Sequence, residues 1–226
     1  MLPYVILHMG ISVDGRIDWG GGSDNPYYEL VDQLGADTDI SGSNTIIQAQ
    51  FPDDPQKALG QVYADWIKKP SRPRHAIVDS KGRIKTWEII KKQPWWNGYI
   101  SLCSQDTPQS HLDYLKELDV SYIIAGGSQV DLRLALENLN AQFGTRKVRV
   151  DSGGILNGVL LRQGLVDEVS VIISPSLVGG LTPKTMFVAP DLETEEGVIP
   201  LTLVNVDQIR ERYVWLRYKV WKPVPK

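Results

Sequence analysis

Two stretches of the chain carry an apolar, strand-forming segment straight into a glycine pair and then into a helical pattern. The first is Ile123-Ile124-Ala125-Gly126-Gly127-Ser128, and the second is Val148-Arg149-Val150-Asp151-Ser152-Gly153-Gly154. Glycine lets the backbone turn sharply at a strand end and lets another group approach closely. The helix start that follows offers unpaired amides and the positive end of a dipole, a combination that suits phosphate or pyrophosphate. In open α/β sheets the ligand crevice lies at the carboxyl ends of the strands, where both pairs fall. The competing reading is that the glycines only make tight strand-to-helix turns. Neither stretch has the full G-x-G-x-x-G spacing, so a standard Rossmann fingerprint is not indicated.

Around these turns the chain alternates strand and helix patterns. Leu2–Met9 is an apolar run suited to a strand buried on both faces. Gly10–Gly22 is a glycine-rich loop with the turn signal Asp14-Gly15. Asn25 and Pro26 open a helix with Leu30 and Leu34 on one face. The spacing of Leu59, Val62 and Trp66 predicts one helix over Pro55–Lys69, ended by two lysines and Pro70. Strands are predicted at His75–Asp79, Tyr99–Cys103, Val120–Ala125, Lys147–Asp151 and Val169–Ile173. Helical turns fall within Thr86–Lys92, and short helices over His111–Leu118 and Ile155–Gln163. The clearest helix is Val130–Phe143, with Leu132, Leu136, Leu139 and Phe143 facing inward and Ser128 or Asp131 as its cap. Ile199–Val206 and Tyr213–Trp221 read as an antiparallel pair. The whole is an α/β pattern, a mostly parallel central sheet with C-terminal antiparallel strands, covered by helices. With 226 residues, no repeat and no linker-like tract, one domain over residues 1–226 is expected.

Composition narrows the function classes. Acids number 27 and bases 24, a net charge of −3, which lacks the basic footprint of a duplex-DNA binder. No apolar run approaches the about 20 residues that cross a bilayer, and no secretory signal pattern opens the chain, so a cytoplasmic protein without nucleic-acid or membrane partners is expected. The single cysteine, Cys103, reads as a small buried residue. His8, His75 and His111 lack metal-ligand spacing, so no metal is expected.

Three other positions carry possible chemistry. Asp151 at a strand end can orient a substrate or move a proton, or it can cap the following helix. Ser80, Lys81 and Arg83 gather a hydroxyl and two cations after a strand, either as a phosphate clamp or as a solvated turn. Trp19 in the first loop can cover a planar ligand.

Three motifs together resemble a known family. Leu7–Trp19 resembles the first strand and loop of the dihydrofolate-reductase-like superfamily, and is most similar to the pyrimidine reductase domain of riboflavin biosynthesis. Val78–Ile84 resembles a second motif of that family. Val150–Gly180, VDSGGILNGVLLRQGLVDEVSVIISPSLVGG, matches its glycine-rich turn, short helix, Leu-Val-Asp-Glu segment and Pro-x-Leu-x-Gly ending almost throughout.

The resemblance implies a dihydrofolate-reductase-like three-layer αβα fold, a homodimer, and an NADPH-dependent reductase that delivers hydride to a small-molecule substrate. It places the cofactor pyrophosphate at Gly153, Gly154, Ile155, Leu156, Asn157 and Gly158, with Gly126, Gly127 and Ser128 helping on the adjoining strand. It puts Ser80, Lys81 and Arg83 near an adenosine 2′-phosphate, and Asn44 and Thr45 at a cofactor-contacting turn. Asp151 stands where the family has a substrate-contacting glutamate, and Asp14 and Trp19 are expected beside the substrate. Two features depart from the family: Gly35 stands where an arginine binds the substrate phosphate, and the basic segment usual after Asp53-Asp54-Pro55 is absent. These departures motivate an alternative, a reductase of the same fold acting on a different, unphosphorylated substrate. A non-catalytic nucleotide-binding dimer is the third alternative.

Overall fold

Residues with branched apolar side chains form the strands here because they pack on both faces of a covered sheet. The computed structural model describes residues 1–19, 25–182 and 184–222. In chain order the elements are β1 (Tyr4–Ser12), α1 (Tyr27–Leu34), β2 (Thr38–Gly42), α2 (Ser43–Gln48), α3 (Pro55–Leu59), α4 (Gln61–Ile67), β3 (Arg74–Val78), α5 (Trp87–Ile90) and β4 (Tyr99–Cys103). They continue with α6 (Gln109–Glu117), β5 (Ser121–Ile124), α7 (Leu132–Phe143), β6 (Lys147–Val150), α8 (Gly154–Arg162), β7 (Glu168–Ser174), β8 (Leu201–Ile209) and β9 (Tyr213–Val220).

The described residues gather into two units. One comprises residues 1–3 and 37–146, the other 4–36 and 147–226. In the first, β2, β3, β4 and β5 pair in that order, all parallel. Ile77, Ile84, Trp87, Ile90, Cys103 and Leu115 are fully buried against them. Cys103 is thus the core residue its apolar context predicts, and burial pushes its thiol pKa up. In the second unit β6, β1 and β7 are parallel, and β7–β9–β8 continues antiparallel. Leu30 and Leu34 of α1 pack with Ile6, Ile172, Tyr213 and Trp215, so the inward face expected of that helix is the one observed. The mostly parallel strands, antiparallel C-terminal pair and flanking helices match the α/β pattern of the sequence.

Several local readings are corrected. The helix predicted over Pro55–Lys69 is two helices, because Gly60 breaks it with φ 53° and ψ −118°. Val62, expected inward, is exposed, and α4 buries no residue. Trp66 instead meets Trp95 edge-on at 5.1 Å and carries Lys69 over its ring. Asp131, not Ser128, caps α7 by accepting from the Leu134 N–H at 3.0 Å. The glycine pair at 126–127 is not on the strand adjoining the second pair, since β5 pairs with β4 and β6 pairs with β1. Parallel strands joined through a crossover helix need not be neighbours, so sequence proximity did not decide the pairing. The first loop begins later than expected, because β1 runs through Gly10 to Ser12; residues 20–22 of that loop lie outside the described residues.

Candidate active site

In the first unit the carboxyl ends of four parallel strands bring together residues far apart in sequence. Asp79, fully buried at the end of β3, accepts from the backbone N–H groups of Arg83 and Ile84, each at 2.9 Å. These bonds shape the Ser80–Arg83 turn. Gly82 takes φ 62° there, and a Cβ would strike the His111 ring at 2.6 Å. His111 lies 3.8 Å from Asp79, but burial first, and Lys85 second, lower its pKa, so the imidazole is neutral near pH 7.

The turn aims Arg83 at the first turn of α2. Its Nη2 donates to Ser43 Oγ at 2.6 Å and to Asn44 Oδ1 at 2.5 Å. Asn44 and Arg83, predicted from separate motifs, are therefore together, with Thr45 one residue further along the helix. Lys81 pairs with Asp106 at 3.3 Å on the surface. Ser80 Oγ accepts from the Val130 N–H at 3.0 Å, while its carbonyl accepts from Ser104 and Thr107 hydroxyls. Ser80 thereby ties its turn to the loop that follows Gly126-Gly127-Ser128. Gly126 has φ 84°, and a Cβ there would sit against the Gln129 carbonyl and the Asp131 N–H. Gly127 faces open space, and Ser128 is exposed. Of the first glycine pair, one residue makes the turn and the other faces open space.

The second unit divides the labour differently. Gly153 is the N-cap of α8, and a Cβ on it would meet nothing within 4 Å. Gly154 and Gly158, one helical turn apart, lie directly against the carbonyls of Thr185 and Val188. The Val188 N–H donates to the Gly154 carbonyl at 3.0 Å, and the buried Asn157 amide donates to the Met186 carbonyl at 2.9 Å. These three residues hold the segment 185–188 on the helix; Ile155 projects outward and Leu156 is half-buried.

Asp151 follows β6 and pairs with Arg149 at 3.2 Å. Arg149 is buried within the strand. Tyr27 lies beside this pair: its hydroxyl donates to the His8 carbonyl at 2.9 Å, and burial, then the Asp151 charge, raise its pKa well above the usual phenol range. His8 stacks on the Tyr27 ring at 4.4 Å and meets Ser170 Oγ at 2.9 Å. Arg149 and Tyr27 were not singled out in the sequence, and His8 was weighed there only as a metal ligand. Arg149 had a signal, a cation between two valines of a buried strand; Tyr27 and His8 had none.

Asp14 and Trp19 are separated in role. The Asp14 carboxylate accepts from Ser12 Oγ at 2.6 Å and from the Val178 and Gly179 N–H groups at 3.0 and 2.6 Å. Those donors, the hydroxyl first, lower its pKa to about 2. Nearby, Arg16 donates to the Thr182 carbonyl and hydroxyl, and Asp18 pairs with Lys184 at 3.1 Å. The first loop is thus strapped to the segment after β7. Trp19 is 87% exposed at φ 60°.

The profile of the RibD C-terminal domain family matches residues 3–215. The chain belongs to the RibD C-terminal domain family. It is 30% identical over 210 residues to the 2,5-diamino-6-ribosylamino-4(3H)-pyrimidinone 5′-phosphate reductase of Methanothermobacter thermautotrophicus, covering 90% of this chain and 92% of that protein. It is 27% identical over 203 residues to the reductase of the same name from Archaeoglobus fulgidus, covering 82% and 86%. In structure it is similar to Acinetobacter baumannii RibD, with a TM-score of 0.71 and 22% identity, covering 97% of this chain but 58% of that one. That last likeness shows the fold, and the chain spans little more than half the length of that RibD. Gly35, where the resemblance leads one to expect an arginine, ends α1 in the left-handed region at φ 60°, a conformation that strains any side chain. Among the described residues, no helix is long and apolar enough to cross a membrane.

Proposed function

We propose that this chain is a single reductase domain, working as a homodimer, that uses NADPH to reduce 2,5-diamino-6-ribosylamino-4(3H)-pyrimidinone 5′-phosphate or the closely related 5-amino-6-(5-phosphoribosylamino)uracil. One family profile running through both units supports the single domain. The substrate class rests on the archaeal relatives' names. When bound, the nicotinamide supplies the hydride.

The observation that carries the cofactor reading is the convergence of Arg83 with Ser43 and Asn44 at the carboxyl ends of β2 and β3. An exposed guanidinium held by one nitrogen, Nη2, to two oxygen groups has a fixed orientation from which its other N–H groups can meet a phosphate. Within the same unit Gly127 leaves backbone that phosphate oxygens can approach. In the other unit the first turn of α8 favours negative charge. Asp151, oriented by Arg149 and Tyr27, holds a polar group of the substrate or passes a proton to the reduced product. Thr45, Ser80, Lys81 and Ser128 complete the cofactor side, and Trp19 and Asp14 belong to the substrate loop.

Titration of the protein with NADPH and NADH, followed by tryptophan fluorescence, tests this. NADPH should bind more tightly, and Arg83→Ala should weaken NADPH roughly tenfold while leaving NADH nearly unchanged. Equal losses for both cofactors would remove Arg83 from the 2′-phosphate. Gly35 supports a second reading, a reductase for an unphosphorylated substrate. Rapid oxidation of NADPH by the ribosylamino phosphate would dismiss it.

A further inference from the structure

Beneath the Ser80–Arg83 turn a buried carboxylate lies beside a buried imidazole: Asp79 and His111 are 0% and 1% exposed. Asp79 accepts one backbone N–H on each oxygen, Arg83 on Oδ1 and Ile84 on Oδ2. Among the described residues neither lysine nor arginine pairs with this carboxylate. His111, on α6, brings its Nε2 to 3.8 Å from Asp79 Oδ2, and its Nδ1 lies 3.3 Å from Lys85 Nζ. An ammonium can only donate, so Nδ1 accepts and the ring proton sits on Nε2, facing the carboxylate. No hydrogen-bond partner lies closer to that nitrogen. An N–H dipole directed at a buried carboxylate offsets part of the cost of burying its charge. Lys85 is the exposed end of the row, and its carbonyl accepts from the Tyr114 hydroxyl at 2.8 Å, one turn along α6 from His111. Asp79, His111 and Lys85 thus form a line from core to surface. The ring is also the floor of the turn, since a Cβ on Gly82 would strike it.

We infer that His111, oriented by Lys85, is the positioning residue of the Ser80–Arg83 turn and thereby sets the preference for a cofactor carrying a 2′-phosphate. The inference rests on the cofactor reading above and adds the group that fixes Arg83 in place. Two restraints act on the turn from below. The His111 N–H holds the Asp79 carboxylate where both of its oxygens reach the turn amides, and the ring face stops the backbone at Gly82 from sinking towards α6. Arg83 reaches Ser43 and Asn44 through Nη2 alone, so a turn displaced by about 1 Å loses those contacts and the orientation of the guanidinium with them. A cofactor without the 2′-phosphate makes no use of that guanidinium, so the same displacement costs it little.

Hydrogen exchange in the free protein tests the positioning without any cofactor. The Arg83 and Ile84 amides should exchange about tenfold faster in His111→Leu, which fills the space but has no N–H, and return towards wild type in His111→Gln, which restores a donor. Unchanged protection in a folded His111→Leu overturns the inference. Imidazole nitrogen-15 spectra of the wild-type protein should show the proton on Nε2, and a proton on Nδ1 overturns it too. In cofactor titrations His111→Leu should weaken NADPH about tenfold and NADH less than about twofold. An equal loss for both, with a lowered Tm, marks the histidine as structural only. If circular dichroism shows that His111→Leu does not fold, Lys85→Met carries the exchange test from the exposed end of the row: the same two amides should quicken, and unchanged exchange overturns the inference. Equal binding of NADPH and NADH by the wild-type protein sinks the cofactor reading, and the preference falls with it. A normal preference with unchanged exchange in the variants sinks the role of His111 alone.

Discussion

Glycine residues of identical type do opposite jobs in this chain, and single substitutions separate them. Gly158 has no room for a methyl group beside the Val188 carbonyl, whereas Gly153 faces open space with φ −76°. Gly158→Ala should therefore destabilise the fold by about 1–3 kcal/mol through overpacking. Gly153→Ala should leave stability nearly unchanged and lower NADPH affinity. Urea denaturation and fluorescence titration of both variants check the contrast, and equal behaviour would erase it. Asp14 makes a pH prediction. Its folded pKa is depressed to about 2 from 3.8, so its tether is fully present above pH 4 and is lost as pH falls towards 2. Amide protection at Val178 and Gly179 should fall over that window while the amides of β1 and β7 stay protected.

At the scale of elements, caps and breaks decided what hydrophobic spacing left open. α7 begins where Asp131 accepts from Leu134, and Asp131→Ala should cost about 1 kcal/mol, seen as a fall in Tm of about 2–4 °C. An unchanged Tm would mean the cap is redundant. The pattern of Leu59, Val62 and Trp66 was helical in spacing, yet Gly60 divides it. Its φ and ψ belong to a region only glycine enters easily, and Asp54 and Pro55 start a separate helix before it. Spacing alone reports which residues share a face; it does not report whether another element is there to cover that face. β2 shows the reverse case. Its Asp39 and Ser41 are poor strand formers, but each is buried and hydrogen-bonded; Asp39 accepts from Trp96 and Ser41 meets His75.

For the molecule as a whole, a net charge of −3 repels an anionic dinucleotide, so on the proposed reading affinity must come from local cations. Arg83 is the cation proposed for this, and it is solvent-exposed, where salt screens it. Raising ionic strength should weaken NADPH binding more than NADH binding. Parallel salt dependence in the two titrations would place the discriminating charge elsewhere.

The sequence by itself determined the order of most strands and helices, though not β2, α2 or the break between α3 and α4, together with the glycine turns at two strand ends, the apolar face of α1 and the family to which the chain belongs. Those are local properties, written in backbone freedom, side-chain period and contiguous motifs. Only the tertiary structure decided which glycines face open space and which face the chain itself, since a missing Cβ says nothing about what lies opposite. It also decided that Arg83 joins Asn44 and that Arg149 and Tyr27 flank Asp151. Those pairings join distant parts of the chain through strand register, a non-local quantity that burial of the whole sheet sets.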